Sequence, residues 1–538
     1  MARLIIGTFM KMKVLANIKN ILILLSVSLV YLIPRVVGLG FDVINIDYPL
    51  WDNRATNFFI YLKTFNFVET YRTSHPGVTL MWLGGGAIEV FSRVYTQFFH
   101  IAPVINEYSI FPWRSLFIKL TLVFAILFLY LLAVFLITKI FNKKVALLFF
   151  VLVSLEPCII AHDRIFHLEG LLTALIFVSC LFSIYFWKNL EFRYLLFSAI
   201  FSALSFLTKV TGIFSFSFFF LTSLIMSSPR DKKFFIRGAI FSFSFLLFVV
   251  IFFPAMWVSP IDTLSKMLYG ALSMSETGHS QYFLGSWTDN PGILFYPIVF
   301  LFKSSPILII WLLVFVIVSL WKRGVLKRTD KFLSLKLKET ILLLFFILFY
   351  LAEVSLFSKK VLRYILPIYP PLLLLMSLSL ISVYKKLKNR AKKYAIALFS
   401  LGIFISFVLL YKTYPNFLAY TNPILGGMKT ADYFVGNKHF GFGLKAVAEY
   451  MNKKPYIEGI KLIFDGDGTI GPFYLGMARN ATYIYRDHIS TADYFLLPYY
   501  LLDTDPMYLE YKKDFVLEKV FNVNGYPYWY LFRNVRIN

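Results

Sequence analysis

Apolar segments long enough to cross a lipid bilayer recur along the whole chain. A transmembrane helix needs roughly 20 mostly apolar residues, and eleven segments meet or approach that length: 20–38, 115–138, 145–161, 169–187, 193–208, 211–228, 236–253, 306–321, 340–357, 364–383 and 394–411. Hydrophobic residues make up 59% of the chain and charged residues 15%, whereas about 25% of a soluble domain is charged. The sequence therefore predicts a mainly α-helical, polytopic membrane protein with about eleven transmembrane helices. It excludes a soluble enzyme, a disordered chain and a coiled coil.

The basic residues predict the orientation of the chain in the membrane. The net charge of +25 does not indicate a nucleic-acid partner, because Lys and Arg lie in short loops between apolar segments, which is the positive-inside pattern. If the N-terminus is cytoplasmic, the six cytoplasmic segments carry 26 of the 54 Lys and Arg residues. Segment 78–99, with three consecutive glycines, Glu89 and Arg93, would reverse this distribution if it crossed the membrane. We therefore expect it to lie at the outer surface or to dip into it.

The chain divides into a membrane module and a more polar C-terminal region. Residues 1–411 form the predicted module, in which the first helix is retained rather than cleaved as a signal peptide, and its large outer loops are 39–112 and 254–305. Residues 412–538 contain the strand-like runs IKLIF, DYFLLPYY and YWYLF, which predict a small extracytoplasmic α/β domain. Both cysteines lie in apolar segments, so neither a disulfide nor a thiolate metal site is indicated. We expect a multi-pass protein of the cell membrane.

Carboxylates and histidines lie at the predicted outer ends of several spans. An ionisable residue at membrane depth is costly, and it indicates a functional site by default. Asp47 follows the first span, where it can meet a lipid-linked substrate, although a solvated loop acid is an equal alternative. The segment EPCIIAHDRIFHLEG at 156–170 joins the third and fourth spans. Its His167 and Glu169 could help to bind a divalent metal, but residues two apart do not share a helix face, so acid or hydrogen-bonding roles are favoured.

Cations at the same outer ends break the positive-inside pattern. Lys209 lies in FLTKVTG, where its side chain can simply reach the membrane interface. Three more cations, Lys359, Lys360 and Arg363, lie in SKKVLRYILPIYPP, where they suit a phosphate headgroup. Cations that hold a lipid phosphate, beside a carboxylate that can deprotonate an acceptor, point to transfer of a group from a lipid-phosphate carrier.

The order of these motifs resembles the membrane-embedded glycosyltransferases of the GT-C type. The chain looks similar to the branch of glycosyltransferase family 39 that holds the dolichyl-phosphate-mannose protein mannosyltransferases, and to the aminoarabinose transferases. The resemblance covers roughly residues 20–420 and is carried by Asp47 with His75-Pro76-Gly77, FPAMW at 253–257, NPGILFYP at 290–297 and KKVLRYILPIYP at 359–370. No single motif is diagnostic, but their order and spacing are fairly specific.

The resemblance implies an inverting transferase that takes a sugar from dolichyl or undecaprenyl phosphate on the extracytoplasmic face. Asp47 matches the expected catalytic base, although Tyr48 follows it where protein mannosyltransferases usually have Glu. Glu169 matches a second acidic residue, commonly Asp, and is implied as a catalytic residue that positions the acceptor or the sugar or joins a metal site. The residues implied near the donor phosphate are Arg164, Lys209, Lys360, Arg363 and Tyr364, and those implied in positioning the substrate are Arg54, His75 and His167.

The acceptor is left open between a protein, a lipid and a glycan. A divalent metal is possible and no other cofactor is indicated. The alternative function is a transporter or flippase for lipid-linked sugars, which would use outward cations as well. Transporters often contain internal repeats, which this sequence does not show, and their charges lie at the midplane or on both faces. A non-catalytic scaffold would leave the outer charges unexplained.

Overall fold

The fold is a bundle of apolar helices followed by a region with a small β-sheet. The computed structural model describes residues 22–104, 110–227, 233–276, 280–321, 337–437, 440–464, 482–483, 491–503 and 505–536. The helices of the bundle are α1 Leu22–Val36, α2 Tyr48–Lys63, α3 Val78–Phe99, α4 Phe111–Ile140, α5 Lys143–Leu155, α6 Pro157–Asp163, α7 Leu168–Asn189, α8 Phe192–Thr208, α9 Phe214–Met226, α10 Phe234–Phe252, α11 Ala255–Val258, α12 Pro260–Glu276, α13 Phe295–Lys303, α14 Pro306–Trp321, α15 Leu337–Leu356, α16 Tyr369–Lys386 and α17 Asn389–Thr413.

The predicted spans coincide with helices. By length and apolar composition, 6 helices of the described residues can cross a membrane, and up to 7 if the bent pair of α5 and α6 is one span. Four further apolar helices are shorter, with 10–17 residues. Each of the eleven predicted segments overlaps one of these helices or the bent pair, so the mainly helical, polytopic architecture is confirmed. The orientation of the termini stays a prediction.

The third span is broken at a proline. Glu156 has extended backbone angles, φ −76° and ψ 114°, and Pro157 begins α6. A residue before proline is driven out of the helical region by the proline ring, so α5 ends at Leu155 and the chain turns by 70°. Because of this turn, α6 and the loop after it run across the end of the bundle before α7 begins.

Helix α7 is the centre of the bundle, with 94% of its most apolar window buried. It packs against α8 through small residues, and the hydroxyls of Ser183 and Ser198 lie 2.7 Å apart. Small side chains allow close approach of two helix backbones within a membrane. The buried α7 is therefore packed closely against its neighbour α8.

A buried ion pair ties α1 to the broken span. The Nε atom of Arg35 donates to Oδ2 of Asp163 at 2.7 Å, and both side chains are at most 1% exposed. The guanidinium also donates to the carbonyls of Tyr31, Ser154 and Val153. These protein acceptors offset the cost of burying the charge of the guanidinium.

Helices α2 and α3 of the predicted first outer loop pack closely together. A Cβ atom on Gly85 would lie 2.8 Å from the carbonyl oxygen of Ala55. A glycine is therefore needed at position 85 for the two helices to approach this closely. Segment 78–99 forms α3, and it is not among the described helices that meet the criteria for a span. Its Glu89 pairs with Lys63 and Arg93. Its predicted position at the outer surface stays a prediction.

The C-terminal region contains a five-stranded mixed sheet. Its strands are β3 Lys461–Phe464, β4 Thr482–Tyr483, β5 Tyr494–Pro498, β6 Phe515–Val523 and β7 Tyr526–Asn534, and their spatial order is β4-β3-β5-β7-β6. Strand β3 is parallel to β4 and β5, whereas β7 is antiparallel to β5 and β6. All three strand-like runs of the sequence fall in these strands. A separate two-stranded hairpin, β1 Gln281–Phe283 and β2 Ser286–Thr288, belongs to the loop before α13.

The helices of the C-terminal region are α18 Gly427–Val435, α19 Leu444–Met451 and α20 Pro506–Tyr511. Buried residues of this region, including Phe442 and Trp529, are continuous with the main hydrophobic core. The sheet region is therefore packed onto the bundle, and 411 stays only a predicted boundary between domains.

Candidate active site

Three acid–base residues meet at the N-terminus of α7. The Nε2 atom of His167 lies 2.9 Å from Oδ2 of Asp47, and the Nδ1 atom of the same ring contacts Oε2 of Glu169. One imidazole therefore joins the two carboxylates that the sequence singled out.

Two cations complete this cluster. The ammonium of Lys209 lies 3.0 Å from Oε1 of Glu169. The guanidinium of Arg363 bridges both acids, with one nitrogen 3.4 Å from Oδ2 of Asp47 and another 3.4 Å from Oε1 of Glu169. Asp47, His167, Glu169, Lys209 and Arg363 are called the charged cluster below. Its charges nearly balance, as buried charges must.

The charged cluster is built from the ends of secondary-structure elements. Asp47 is the N-cap of α2, and Lys209 is the C-cap of α8. His167 is the N-cap of α7 and has an extended backbone, φ −153° and ψ 168°, while Glu169 lies in the first turn. Two residues that are two positions apart point to different faces only when both lie inside a helix. Because His167 lies outside the helix, its ring can turn back onto Glu169.

Only part of the charged cluster is accessible. The side chains of Glu169 and Lys209 are at most 4% exposed, whereas Asp47 is 26% and Arg363 24% exposed. Asp47 and Arg363 are thus the members that a substrate can reach, and the others hold them in place.

Electrostatics favours a charged Asp47–His167 pair. Burial opposes ionisation of Asp47, but the hydrogen bond from His167 and the charges of His167 and Arg363 outweigh it, so its pKa is lowered from the ordinary 3.8. Burial likewise opposes protonation of His167. The carboxylates of Glu169 and Asp47 outweigh that effect and raise its pKa above 6.5. At neutral pH, Asp47 is a carboxylate that accepts a hydrogen bond from the imidazole ring.

Aromatic rings surround the charged cluster. The ring of Phe440 lies 6.0 Å from that of His167, and the guanidinium carbon of Arg363 lies 5.0 Å from the Phe440 centroid. The ammonium of Lys209 lies 3.5 Å from the centre of the Tyr364 ring, in cation–π contact. Phe440 could not be predicted from the sequence, because the C-terminal region carries no recognisable motif.

Two other predicted positioning residues lie near the charged cluster. Trp51 packs edge-on to His167 with centroids 6.4 Å apart, and the guanidinium of Arg54 covers the Trp51 ring at 4.7 Å. Burial and the positive charge of Lys209 lower the pKa of His75 to about 3, so this imidazole is neutral. Its Nδ1 atom is buried and has no hydrogen-bond partner among the described residues. His75 can therefore donate to or accept from a ligand without adding charge.

The structure does not bring Arg164 and Lys360 into the charged cluster. Arg164 pairs with Asp42 and donates to the carbonyls of Pro34 and Val37. Lys360 donates to Oδ1 of Asn290 at 3.1 Å and to the carbonyl of Phe357 at 2.7 Å. Both cations therefore have protein acceptors outside the charged cluster, and their predicted role at the donor phosphate stays a prediction.

The charged cluster does not suit a divalent cation. No group of three or more His, Cys, Asp or Glu side chains in the described part of the chain has the geometry to hold a metal ion. Both ring nitrogens of His167 face carboxylates, and the ammonium of Lys209 and the guanidinium of Arg363 occupy the space beside Glu169. These cations do the charge balancing that a metal would do.

A cavity of about 590 Å³ opens beside the charged cluster. Asp47 and Arg363 line it from the bundle, together with α6 and the end of α13. The opposite wall comes from the C-terminal region, including 417–420, Asn437, Phe440 and Tyr500. The C-terminal region therefore covers the only two exposed members of the charged cluster.

No protein-family model matches the chain, and no curated protein matches it in sequence. In structure, the chain is similar to ArnT from Cupriavidus metallidurans in the apo state, with a TM-score of 0.53 and 12% sequence identity over 96% of this chain and 98% of that chain. The same protein bound to undecaprenyl phosphate gives a TM-score of 0.51 with 12% identity over 96% and 98%. For the apo oligosaccharyltransferase of Archaeoglobus fulgidus the TM-score is 0.49 with 11% identity, over 91% of this chain and 70% of that chain.

The fold assignment depends on the two ArnT structures. That likeness extends over nearly the full length of both chains, so it includes the helical bundle and the C-terminal region together. The chain is thus a polytopic membrane protein with the GT-C fold, as the order of its motifs predicted.

Proposed function

We propose that this protein is a glycosyltransferase that moves a sugar from a polyprenyl-phosphate donor to an acceptor hydroxyl. The observation that carries the proposal is the position of Asp47 in the wall of a cavity, held by His167 at 2.9 Å and by Arg363 at 3.4 Å. Deprotonation of an acceptor requires a fixed carboxylate. Departure of a phosphate requires fixed cations beside it.

In the proposed reaction, Asp47 takes the proton of the acceptor hydroxyl while that oxygen attacks the anomeric carbon. The bond from the anomeric carbon to the phosphate oxygen breaks, and polyprenyl phosphate leaves with the electron pair. A single displacement of this kind inverts the anomeric centre. General-base assistance contributes about 10²–10⁴-fold to such a step.

The cations of the charged cluster stabilise the leaving phosphate. Arg363 is 24% exposed and can donate two hydrogen bonds to one phosphate. Lys209 and Tyr364 lie behind it, and the neutral His75 supplies a further hydrogen-bonding nitrogen beside them. Glu169 orients His167, Lys209 and Arg363 rather than touching the substrate.

The donor class is supported by the neighbouring fold. ArnT of Cupriavidus metallidurans binds undecaprenyl phosphate in one of its crystal structures, and a lipid donor suits a site built at the ends of apolar helices. We place this site on the extracytoplasmic face with the N-terminus in the cytoplasm, because that orientation leaves most loop Lys and Arg inside.

The test is transfer by purified protein in detergent with radiolabelled undecaprenyl- and dolichyl-phosphate sugars. We expect release of polyprenyl phosphate, a loss of at least about 100-fold in Asp47→Asn, and no effect of EDTA. The matched control is Asp262→Asn, because Asp262 is an exposed residue of α12. Equal release by wild type and Asp47→Asn would contradict the assigned base. Transbilayer movement of the lipids without release would favour the flippase instead.

A further inference from the structure

We propose that the part of the cavity lined by Lys303, Tyr420 and Asn437 binds an anionic group on the acceptor, either a carboxylate or a phosphate. The inference rests on the proposed transfer reaction and names the class of acceptor that it uses. The three residues are called the acceptor pocket below.

The cation of the acceptor pocket lacks a counter-ion. Lys303 ends α13 and lines the cavity, and its ammonium donates to the carbonyl oxygen of Tyr420 at 3.1 Å. No carboxylate of the described residues lies within ion-pair distance of it. By contrast, the buried Lys119 and Lys209 have carboxylate oxygens at 4.0 and 3.0 Å. Burial lowers the pKa of Lys303 to about 8, so it still carries its charge at neutral pH and can bind an anion.

Two buried polar atoms of the acceptor pocket also lack partners. The hydroxyl of Tyr420 and the Oδ1 atom of Asn437 have no hydrogen-bond partner among the described residues, although the two residues are only 3% and 5% exposed. Buried polar atoms are normally paired, and both residues line the cavity. A hydroxyl donor in the same cavity as a cation suits an anion, while a free amide oxygen suits a sugar hydroxyl. The combination fits a polyhydroxylated acid, such as a uronic acid or a sugar phosphate.

The position of Asp47 assigns this ligand to the acceptor rather than to the donor. Asp47 lines the same cavity, whereas Lys209 and Tyr364 are absent from its described lining. An acceptor whose anionic group is held at Lys303 can therefore present a hydroxyl to the base in the same cavity.

Equilibrium binding with matched neutral and acidic sugars tests the proposal without requiring turnover. The probes are p-nitrophenyl β-glucuronide against p-nitrophenyl β-glucoside, and glucose 6-phosphate against glucose, with calorimetry on the full chain in detergent. We expect the wild type to bind at least one acidic probe about tenfold more tightly than its neutral partner, as for one charge-assisted hydrogen bond. The pair that shows the difference distinguishes carboxylate from phosphate.

The variants are Lys303→Met, which keeps the length of the side chain, and Tyr420→Phe, which removes one hydroxyl. We expect Lys303→Met to abolish the preference and Tyr420→Phe to reduce it, with unchanged thermal unfolding. The control is Lys445→Met, because Lys445 is a partly exposed residue of α19 that does not line the cavity. Equal affinity for acidic and neutral probes, no saturable binding of any probe, or a preference that survives Lys303→Met would overturn the proposal.

Two other outcomes separate this inference from the proposed function. If Lys303→Met weakens binding of undecaprenyl phosphate and leaves the sugar acids unaffected, the occupant is the donor phosphate and the inference fails while the transferase stands. If acidic probes bind at Lys303 but no sugar ever leaves a lipid donor, the acceptor pocket stands as an anion site and the proposed transfer fails.

Discussion

The imidazole of His167 joins the two acids of the site, with its Nε2 atom 2.9 Å from Oδ2 of Asp47 and its Nδ1 atom against Oε2 of Glu169. A protonated ring donates to both carboxylates, whereas a neutral ring can donate to only one. Loss of the proton therefore leaves two acids facing a ring that can no longer satisfy both. The orientation of Asp47 depends on the protonation of its neighbour.

The rate of transfer should depend on pH through this pair. The pKa of Asp47 is lowered from 3.8, so the base is ionised throughout the mildly acidic and neutral range. The pKa of His167 is raised from 6.5, so its charged form persists above pH 6.5 and the decline in rate lies above that value. We expect kcat/KM to stay constant from mildly acidic to neutral pH and to decline at alkaline pH; this decline is called the alkaline limb below.

His167→Gln removes the titration while keeping a hydrogen-bond donor for Asp47. We expect its rate to fall about 10–100-fold, the cost of losing one charged donor at such a site, and its alkaline limb to disappear. The measurement is kcat/KM against pH for both proteins. An unchanged limb in the variant would assign the titration to another group.

Arg363→Lys should slow the chemical step more than it weakens donor binding. The guanidinium bridges Asp47 and Glu169 with two separate nitrogens, a geometry that an ammonium cannot reproduce. We expect kcat to fall about 10²-fold, as for loss of one transition-state donor, with a much smaller change in KM. Steady-state kinetics with labelled donor measures both values. Arg533→Lys, at an exposed residue of β7, is the control, and a purely KM-based defect would argue against the bridging role.

Phe440→Ala should impair transfer without unfolding the protein. Phe440 reaches from the C-terminal region to both His167 and Arg363, and its removal admits water and forfeits a cation–π contact, about 1 kcal/mol in all. We expect a loss of about fivefold to tenfold in kcat/KM, and a smaller loss in Phe440→Tyr, which keeps the ring. Identical rates in both variants would show that the ring is not needed.

Arg35→Met should destabilise the bundle, since it leaves Asp163 buried without its cation. Breaking such a pair on one side costs about 3–5 kcal/mol. The double variant Arg35→Met/Asp163→Asn should recover part of this loss, because it removes the uncompensated charge. Thermal unfolding in detergent compares the two variants, with Lys266→Met, in an exposed pair with Asp262, as the control. A double variant less stable than the single one would contradict the argument.

The helical bundle was predictable because a bilayer imposes one length and one composition on every span. The charged residues of the site were predictable for a related reason, since Asp47, Glu169, Lys209 and Arg363 lie where charge is costly or breaks the orientation rule. The link through His167 was underestimated, because the sequence does not show that this residue precedes the helix instead of lying within it.

Features that depend on distant parts of the chain could not be predicted. The contact of Arg164 with Asp42, for example, joins residues that lie 122 positions apart. Phe440 and Lys303 reach the cavity from segments without a recognisable motif, and an isolated aromatic or lysine carries no signal of its own. Side-chain pairing across such distances follows from packing rather than from local pattern.

The ion pair of Arg35 with Asp163 also sets an order for biogenesis. Arg35 belongs to α1, yet its buried partners, Asp163 and the carbonyls of Val153 and Ser154, are translated more than a hundred residues later. Until they are inserted, its charge must stay hydrated at the membrane interface, since an unpaired cation is excluded from the bundle interior. Helix α1 can therefore enter the bilayer before α5 and α6 but reaches its final place only when they have followed it.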